Sequence, residues 1–416
     1  MSTKHKIAII GGGAAGFFSA ISAATHSPES EVTIYEATNK LLAKVLISGG
    51  GRCNVTNNTP EITELIKNYP RGNKELRGPF SVFAVKDTIA WFTEHGVELK
   101  AEADGRMFPT TDSSETIAQC LIQTARNAGV KILMKHKVSK ILKSSDNSQS
   151  SYQLYCGRAP GELQNTNYDK VILTTGGSKS SLNLASSLGH TITDLVPSLF
   201  SFEINDTRLT ALSGISFQDV SLELLCSGKK FKHAGPILIT HWGLSGPATI
   251  KLSALAAKEL FAEKYKAQLK INFFPNENQE SMFAILNQQR RDRIRAVASI
   301  DSFLDIPKRY WATIVDRVAG KERQIWNEFS KKQLLALAAE LTGARFEVDG
   351  KGVFKDEFVT CGGVSLKEIN FKTMESKIAP GLHFAGEVLD IDGITGGFNF
   401  QSAWTGGWIA GMPSTN

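Results

Sequence analysis

The sequence predicts an α/β protein whose dinucleotide-binding domain is split by an insert of different character. Three observations predict it: a βαβ unit with a glycine cluster at the start, glycine-ended strand signals near the C-terminus, and a change of pattern between them. The apolar run Lys6-Ile-Ala-Ile-Ile10 leads into Gly11-Gly-Gly-Ala-Ala-Gly16, and Val32-Thr-Ile-Tyr-Glu36 ends on an acid twenty residues past Gly16. This is the spacing of a strand, turn, helix and strand that hold the adenosine half of a dinucleotide. Gly11 permits the tight turn, Gly13 lets the backbone approach a pyrophosphate, and Gly16 lets helix and strand pack closely. The helix N-terminus supplies N–H donors and a positive dipole end for the phosphates. Glu36 accepts hydrogen bonds from ribose hydroxyls, and its charge repels a 2′-phosphate.

The remaining elements follow in order. Residues 48–57, Ser-Gly-Gly-Gly-Arg-Cys-Asn-Val-Thr-Asn, form a glycine-rich stretch. Helices are expected at 85–95 and 114–128, the second with Ser113 or Asp112 as N-cap. Strands are expected at 131–134, 137–142, 152–156 and 170–174, with turns or loops at 143–151 and 157–167. The strand beginning at Val171 again ends in glycines, Gly176 and Gly177. From 194 to 343 the character changes. Short alternating segments at 199–204, 220–225, 229–233 and 268–273 suggest a β-rich unit over about 194–275. Helix-like stretches at 278–293, 309–319 and 331–341 make a helical part over about 276–343. The first domain is therefore expected over 1–193 and 344–416, interrupted by the insert 194–343.

Composition is that of an ordinary globular chain, 42% apolar and 21% charged over 416 residues. No apolar run is long enough to span a membrane. A first strand beginning at Lys6 leaves no room for a signal peptide, and five cysteines without a C-x-x-C pair suit reduced thiols. A cytoplasmic protein without a metal site is the expectation. The formal charge of +6 is concentrated: residues 290–332 hold eleven Lys/Arg against six Asp/Glu. That segment is either a solvated helical surface or a patch for an anionic partner such as RNA.

The C-terminal segment selects the cofactor. Gly381-Leu-His-Phe-Ala-Gly-Glu387 has the pattern of a buried strand ending in Gly386-Glu387, and Gly393-Ile-Thr-Gly-Gly-Phe-Asn399 leads into a terminal helix. A second glycine-rich strand end with a helix N-terminus suits FAD, whose ribityl and isoalloxazine parts extend beyond the adenosine. Glu387 would meet ribityl hydroxyls, and N–H groups near Gly397 and Phe398 would face the flavin N1–C2=O edge. The expected cofactor-binding set is completed by Ala14 and Ala15, Ala37 beside Glu36, and Lys44, Ser48, Gly50, Gly51, Arg52, Cys53 and Asn54. Val138, Thr175, Gly176, Gly177, Asp392, Gly396 and Asn399 also belong to it.

Taken in order, Gly11–Gly16, Ser48–Asn54, Thr240-His-Trp-Gly-Leu-Ser-Gly-Pro247, Val359-Thr-Cys-Gly-Gly-Val364, Thr373-Met-Glu-Ser-Lys377 and Phe384–Gln401 closely resemble one family. It is the bacterial flavoprotein family that contains aminoacetone oxidases and BaiN-type 3-dehydro-bile acid reductases. The resemblance covers essentially the whole chain. It implies FAD, a glutathione-reductase-like FAD-binding Rossmann domain, and an insert made of a β-barrel and a small helical piece.

The candidate catalytic residues are His241, Cys53 and Lys44, each with a plainer alternative. Cys53 has no second cysteine within ten residues, which argues against dithiol chemistry; it is a thiol that senses redox state or makes a charge-transfer contact with the flavin, or a buried structural one. Lys44 lies near flavin N5, anchors a phosphate, or is exposed. His241 is a general acid or base, or a hydrogen-bonded turn residue. Arg52 and Asn54 are expected to hold the loop and flavin, and Glu375 and Lys377 to pair. The expected function is hydride transfer at flavin N5 to or from a small or steroid-like molecule, by C=C reduction or amine oxidation, with NAD(P)H as a possible donor. An RNA-modifying flavoenzyme and a non-catalytic flavin sensor are the alternatives.

Overall fold

Runs of four or five apolar residues are buried on both faces when they lie in a parallel sheet, and these runs form the centre of the first unit. The computed structural model describes residues 4–143, 151–157, 164–352 and 359–413. Strands Lys6–Ile10, Glu31–Glu36, Lys131–Met134, Lys170–Leu173 and Leu382–Phe384 pair in parallel, with Ile9 between Ile34 and Ile172. Two short antiparallel strands, Ile369–Asn370 and Glu375–Ser376, extend the sheet beyond Leu382–Phe384. The chain leaves Lys6–Ile10 to one side toward Glu31–Glu36, and the neighbour on the other side is Lys170–Leu173. That reversal of strand order is where a doubly wound sheet opens a crevice at its carboxyl edge.

The first and last helices, Ala14–His26 and Phe398–Gly411, pack on each other at backbone distance. A Cβ on Gly407 would lie 2.6 Å from the Ala15 carbonyl oxygen, and one on Gly411 would lie 2.5 Å from that of Ser19. Ser22 Oγ donates to the Trp408 carbonyl at 2.6 Å. Around this seam Phe18 meets Trp404 and Trp91, each at 4.7 Å between ring centroids, which closes the aromatic core of the unit.

The division into two units places 1–195 and 360–416 in the first and Val196–Val359 in the second. The return expected at 344 therefore moves to about 360. Strand Ala344–Val348 pairs antiparallel with Ala267–Asn272, and Gly350–Lys351 pairs with Phe202–Glu203, so this stretch completes the insert. The seven-stranded sheet of the second unit begins at Ala344–Val348 and ends at Gly350–Lys351. Its two edges are thus joined through Asp349, which curls the sheet into a barrel. Helices Gln279–Asp292, Lys308–Ala319 and Lys331–Gly343 form the helical part, capped by Asn278 and Ser330 at the first and last. Trp311, Trp326, Leu334 and Leu341 fill its core.

Other differences are local. The strand expected at 199–204 shrinks to Phe202–Glu203, because Leu199 has a left-handed backbone (φ +63°). Helices Pro247–Leu255 and Ala257–Ala262 were not anticipated; in the first, Thr249, Lys251 and Ser253 alternate with apolar residues, so no helical period shows. In the expected 157–167 loop, Gln164–Tyr168 pairs with Tyr152–Gly157. The rest of both expected loops, 144–150 and 158–163, lies outside the described residues. No described helix is long and apolar enough to cross a membrane.

Replacing Gly407 by leucine should cost about 2 kcal/mol or more, since the seam has no room to accept the side chain. Urea unfolding monitored by circular dichroism checks this; an unchanged midpoint would mean the helices are not in backbone contact.

Candidate functional site

Each of three adjacent strands in the first unit ends in a turn that carries glycine and precedes a helix. Lys6–Ile10 leads to Ala14–His26, Lys170–Leu173 to Lys179–Ser187, and Leu382–Phe384 to Phe398–Gly411. The parallel pairing places all three helix N-termini at the carboxyl edge of the sheet. Their first-turn N–H groups have no intrahelical acceptor, so this edge is rich in unused donors.

The opening turn is held tightly. Thr174 Oγ1 donates toward the carbonyls of Ile10 and Gly11 at 3.0 and 2.9 Å. A Cβ on Gly16 would lie 1.9 Å from the Gly11 carbonyl oxygen, so this glycine serves the helix–turn contact. Glu36 is oriented from two sides: the Gly12 and Thr38 N–H groups donate to its two carboxylate oxygens at 2.9 and 2.7 Å. Its remaining lone pairs can accept from a diol. Ala37, exposed, lies between Glu36 and Thr38. Val138 is buried opposite Cys156, one turn of chain beyond His136, whose N–H bonds the Glu36 carbonyl at 2.9 Å.

The edge has room and an unmet polar group. Among the described residues, a Cβ at Gly13, Gly50, Gly51 or Gly176 would meet no heavy atom within 4 Å beyond its chain neighbours, so space lies over these turns. Thr175 Oγ1 is buried with no partner among the described residues, beside Gly176 and Gly177. Open glycine turns, a fixed acid, free helical N–H groups and an orphaned hydroxyl form a donor set that suits a dinucleotide carrying a pyrophosphate and sugar hydroxyls.

Across the edge, the 42–57 segment and the 386–399 segment are tied together. Lys44 forms an ion pair with Glu387. Arg52 pairs with Glu102 at 2.6 Å, and its guanidinium lies 4.0 Å from the centre of the Phe108 ring. Ser48 Oγ turns back to the Val45 carbonyl at 2.9 Å. With its amide oriented to satisfy both ends, Asn54 donates to the Thr56 carbonyl at 2.9 Å and accepts from the Gly397 N–H at 3.0 Å. Asn57 Nδ2 donates to the Gly396 carbonyl at 3.1 Å, and Tyr69 donates to that of Phe398 at 2.7 Å.

Several expected roles change. The Gly397 N–H is taken by Asn54, so the free donors of the last helix begin at Phe398. The Asn399 side chain closes the 393–399 loop, bonding both the N–H and the carbonyl of Gly393 at 2.8 and 2.9 Å. Asp392 is fully buried and bound by the Arg71 guanidinium through two nitrogens, so its carboxylate supports the loop and does not face a ligand. Cys53 is fully buried, and burial pushes its thiol up to about 12 against a Ser48 contact that acts the other way. A thiol of that kind is neither a nucleophile nor a sensor at neutral pH. His241 lies in the second unit, exposed at the tip of the hairpin between Lys229–Thr240 and Gly243–Ser245, its ring edge-on to Trp242.

The 373–377 motif is structural. Glu375 and Lys377 do not pair with each other: Glu375 accepts from the Gly381 N–H at 2.7 Å, and Lys377 donates to the Lys367 carbonyl at 2.9 Å. Ser376 Oγ accepts from the Ile378 and Ala379 N–H groups and contacts His190 Nε2 at 2.9 Å. His190 Nδ1 faces Glu368 at 3.0 Å, and burial pushes its pKa down. A neutral imidazole donating to Glu368 and accepting from Ser376 satisfies every group in this knot. Sequence reasoning missed Arg71, Thr174 and Gln401. Gln401 lay inside a recognised motif whose glycines drew the weight.

The family description "HI0933-like protein Rossmann domain" matches residues 5–413. A ribosomal RNA dihydrouridine synthase of Haemophilus influenzae is 29% identical over 424 residues, covering 99% of each chain. A 3-dehydro-bile acid delta(4,6)-reductase of Clostridium scindens is 28% identical over 417 residues, covering 98% of each. The structure of a 3-ketosteroid delta1-dehydrogenase from Sterolibacterium denitrificans superposes with a TM-score of 0.51 at 10% identity, over 99% of each chain, a likeness of fold.

Two outcomes test the revised roles. Because the folded Cys53 thiol holds its proton to about pH 12 and the unfolded one to about 9, its contribution to stability is complete below pH 9 and lost above. Relative to Cys53→Ala, the wild type should lose about 1.4 kcal/mol per pH unit as pH rises through that window; parallel curves would refute the burial argument. Arg71→Leu should destabilise by about 3 kcal/mol or more by stranding Asp392, whereas Arg71→Met with Asp392→Leu should recover much of that loss. Equal losses in the single and double variants would show that the pair is not the cause.

Proposed function

The chain belongs to the HI0933-like family of Rossmann-domain proteins and is an FAD-dependent oxidoreductase, and we propose that it reduces a carbon–carbon double bond conjugated to a carbonyl. The observation that carries this reading is what two end-to-end relatives share. One is named for making dihydrouridine in rRNA and the other for reducing delta(4,6) bonds of 3-dehydro-bile acids. Uracil and a 3-keto-4-ene ring are unlike in size and polarity. Both present a double bond beside a carbonyl, whose electron withdrawal leaves the far carbon open to hydride.

In this reading the N–H groups of Gly13, Ala14 and Ala15 hold the pyrophosphate and Glu36 holds the adenosine ribose. Glu387 takes ribityl hydroxyls, and Thr175 Oγ1 finds its missing partner on the cofactor. The first-turn N–H groups at Phe398 would stabilise negative charge on the reduced flavin. Bound FAD supplies the hydride at N5. Lys44, kept near the site by Glu387, is the candidate proton carrier, and NAD(P)H is the proposed electron donor. The leading substrate class is a small enone of steroid size.

Uridine in RNA is a second reading, favoured by the insert's cations. Arg291, Arg295, Lys308, Arg323, Lys331 and Lys332 are exposed and, among the described residues, lie outside every ion pair. Phosphate binding by these groups would fall steeply with salt.

Anaerobic stopped-flow separates the readings. NADH or NADPH should bleach the yellow protein, and a 3-keto-4-ene steroid should restore the colour without oxygen. Restoration by a uridine-bearing rRNA fragment alone would transfer the assignment to RNA. Bleaching by a primary amine with peroxide formed in air, and no recolouring by either acceptor, would overturn C=C reduction.

A further inference from the structure

Gln401 is a fully buried amide one turn into the last helix, and its orientation is set at its Nε2 end. Its Oε1 accepts from Thr56 Oγ1 at 2.6 Å and lies 3.0 Å from Thr88 Oγ1, whose single proton is shared with the Ala84 carbonyl at 3.1 Å. Its Nε2 donates to Thr405 Oγ1 at 3.1 Å. Thr405 spends its own proton on the Phe83 carbonyl at 2.8 Å, so it can only accept from Gln401. The amide therefore cannot be turned over, and neither a carboxylate nor a hydrocarbon can replace it without leaving hydroxyl groups unmatched.

The network joins three segments at one point. Thr56 belongs to the strand that follows Asn54, and Asn54 holds the Gly397 N–H. Thr88 sits on helix Val85–Glu94, and Trp404 Nε1 donates to the Val55 carbonyl at 2.9 Å. A Cβ on Gly397 would lie 2.5 Å from the Thr56 carbonyl oxygen, so the helix start and the 54–57 segment are in backbone contact. Gln401 thus fixes both the height and the rotation of the first turn whose N–H groups remain free.

We propose that Gln401 is a positioning residue for the cofactor: through Thr56, Thr88 and Thr405 it aims the N-terminus of helix Phe398–Gly411 at the electron-accepting ring. This rests on the proposed function, which puts that ring at the helix start. N–H groups and a helix dipole held there stabilise the negative charge of the reduced form, and a first turn free to rotate stabilises it less.

The test is the midpoint potential of the bound flavin, measured against a reference dye in the wild type and in Gln401→Met, together with FAD affinity. Gln401→Met should bind FAD about tenfold more weakly, the equivalent of one lost buried hydrogen bond, and shift the potential to more negative values. Thr88→Val removes one hydroxyl from the network and should shift the potential the same way by less; it serves if Gln401→Met does not fold. Loss of thermal stability with an unchanged potential in the flavin-bound variant overturns the assignment. A wild-type protein that takes up no FAD overturns the proposed function as well, which distinguishes the two failures.

Discussion

The backbone seam between the first and last helices is the constraint on which the rest of the first unit depends. Ala14–His26 and Phe398–Gly411 are nearly four hundred residues apart in sequence, yet Gly407 and Gly411 press against the carbonyls of Ala15 and Ser19. Side chains at those two positions would part the helices. Since each helix begins at the carboxyl edge of the same parallel sheet, their separation fixes the distance between the two sets of free N–H groups. A long cofactor with phosphates at one place and an electron-accepting ring at another needs that distance to be constant.

The charged and polar groups at this edge divide into those that support backbone and those left to meet a ligand. Arg71–Asp392, Arg52–Glu102, Asn399 and Asn54 are consumed in holding loops that have no regular ladder of their own. Irregular backbone must find hydrogen bonds somewhere, and buried side chains supply them here. Glu36, Thr175 and the first-turn N–H groups are the groups with capacity to spare. The same division explains why Cys53 is inert: its side chain is buried within the 48–57 segment, at a left-handed position (φ +60°), in surroundings that penalise a thiolate.

What could be read in the sequence was what local spacing encodes. The βαβ unit, its glycines and Glu36 are close in sequence, and their roles follow from turn geometry and strand period. Helices 279–292, 308–319 and 331–343 were legible for the same reason, each having caps or a helical period. Pairing between distant segments left no such trace. Nothing in Ala344–Val348 says that its partner is Ala267–Asn272, so the domain boundary was set one strand pair too early. Asp392 and Asn399 have the composition of ligand groups, and only their partners Arg71 and Gly393 show them to be supports. Gln401 was silent because an amide in a helix carries no periodic signal, and its meaning depends on three hydroxyls brought together by folding.

A cradle so defined is indifferent to the rest of the substrate. Hydride needs a planar, electron-poor carbon, and the carbonyl that makes it so is the same device in a pyrimidine and in an enone ring. Relatives named for such different molecules can therefore share this chain's sequence from end to end at nearly equal identity. The insert exposes two kinds of group: cations that lie outside every ion pair among the described residues, such as Arg295 and Lys308, and apolar side chains at Ile294, Ile300 and Phe303 in the same stretch. Asp301 binds Gln289, Arg293 and Trp326 together there, so this mixed surface is fixed in shape and is not a loose loop. Long-range attraction by the cations would draw any phosphate-rich molecule, and the apolar side chains reward only close contact. Salt dependence reports the first contribution and leaves the second almost untouched, so the balance between them is a physical measure of which kind of molecule this surface would hold.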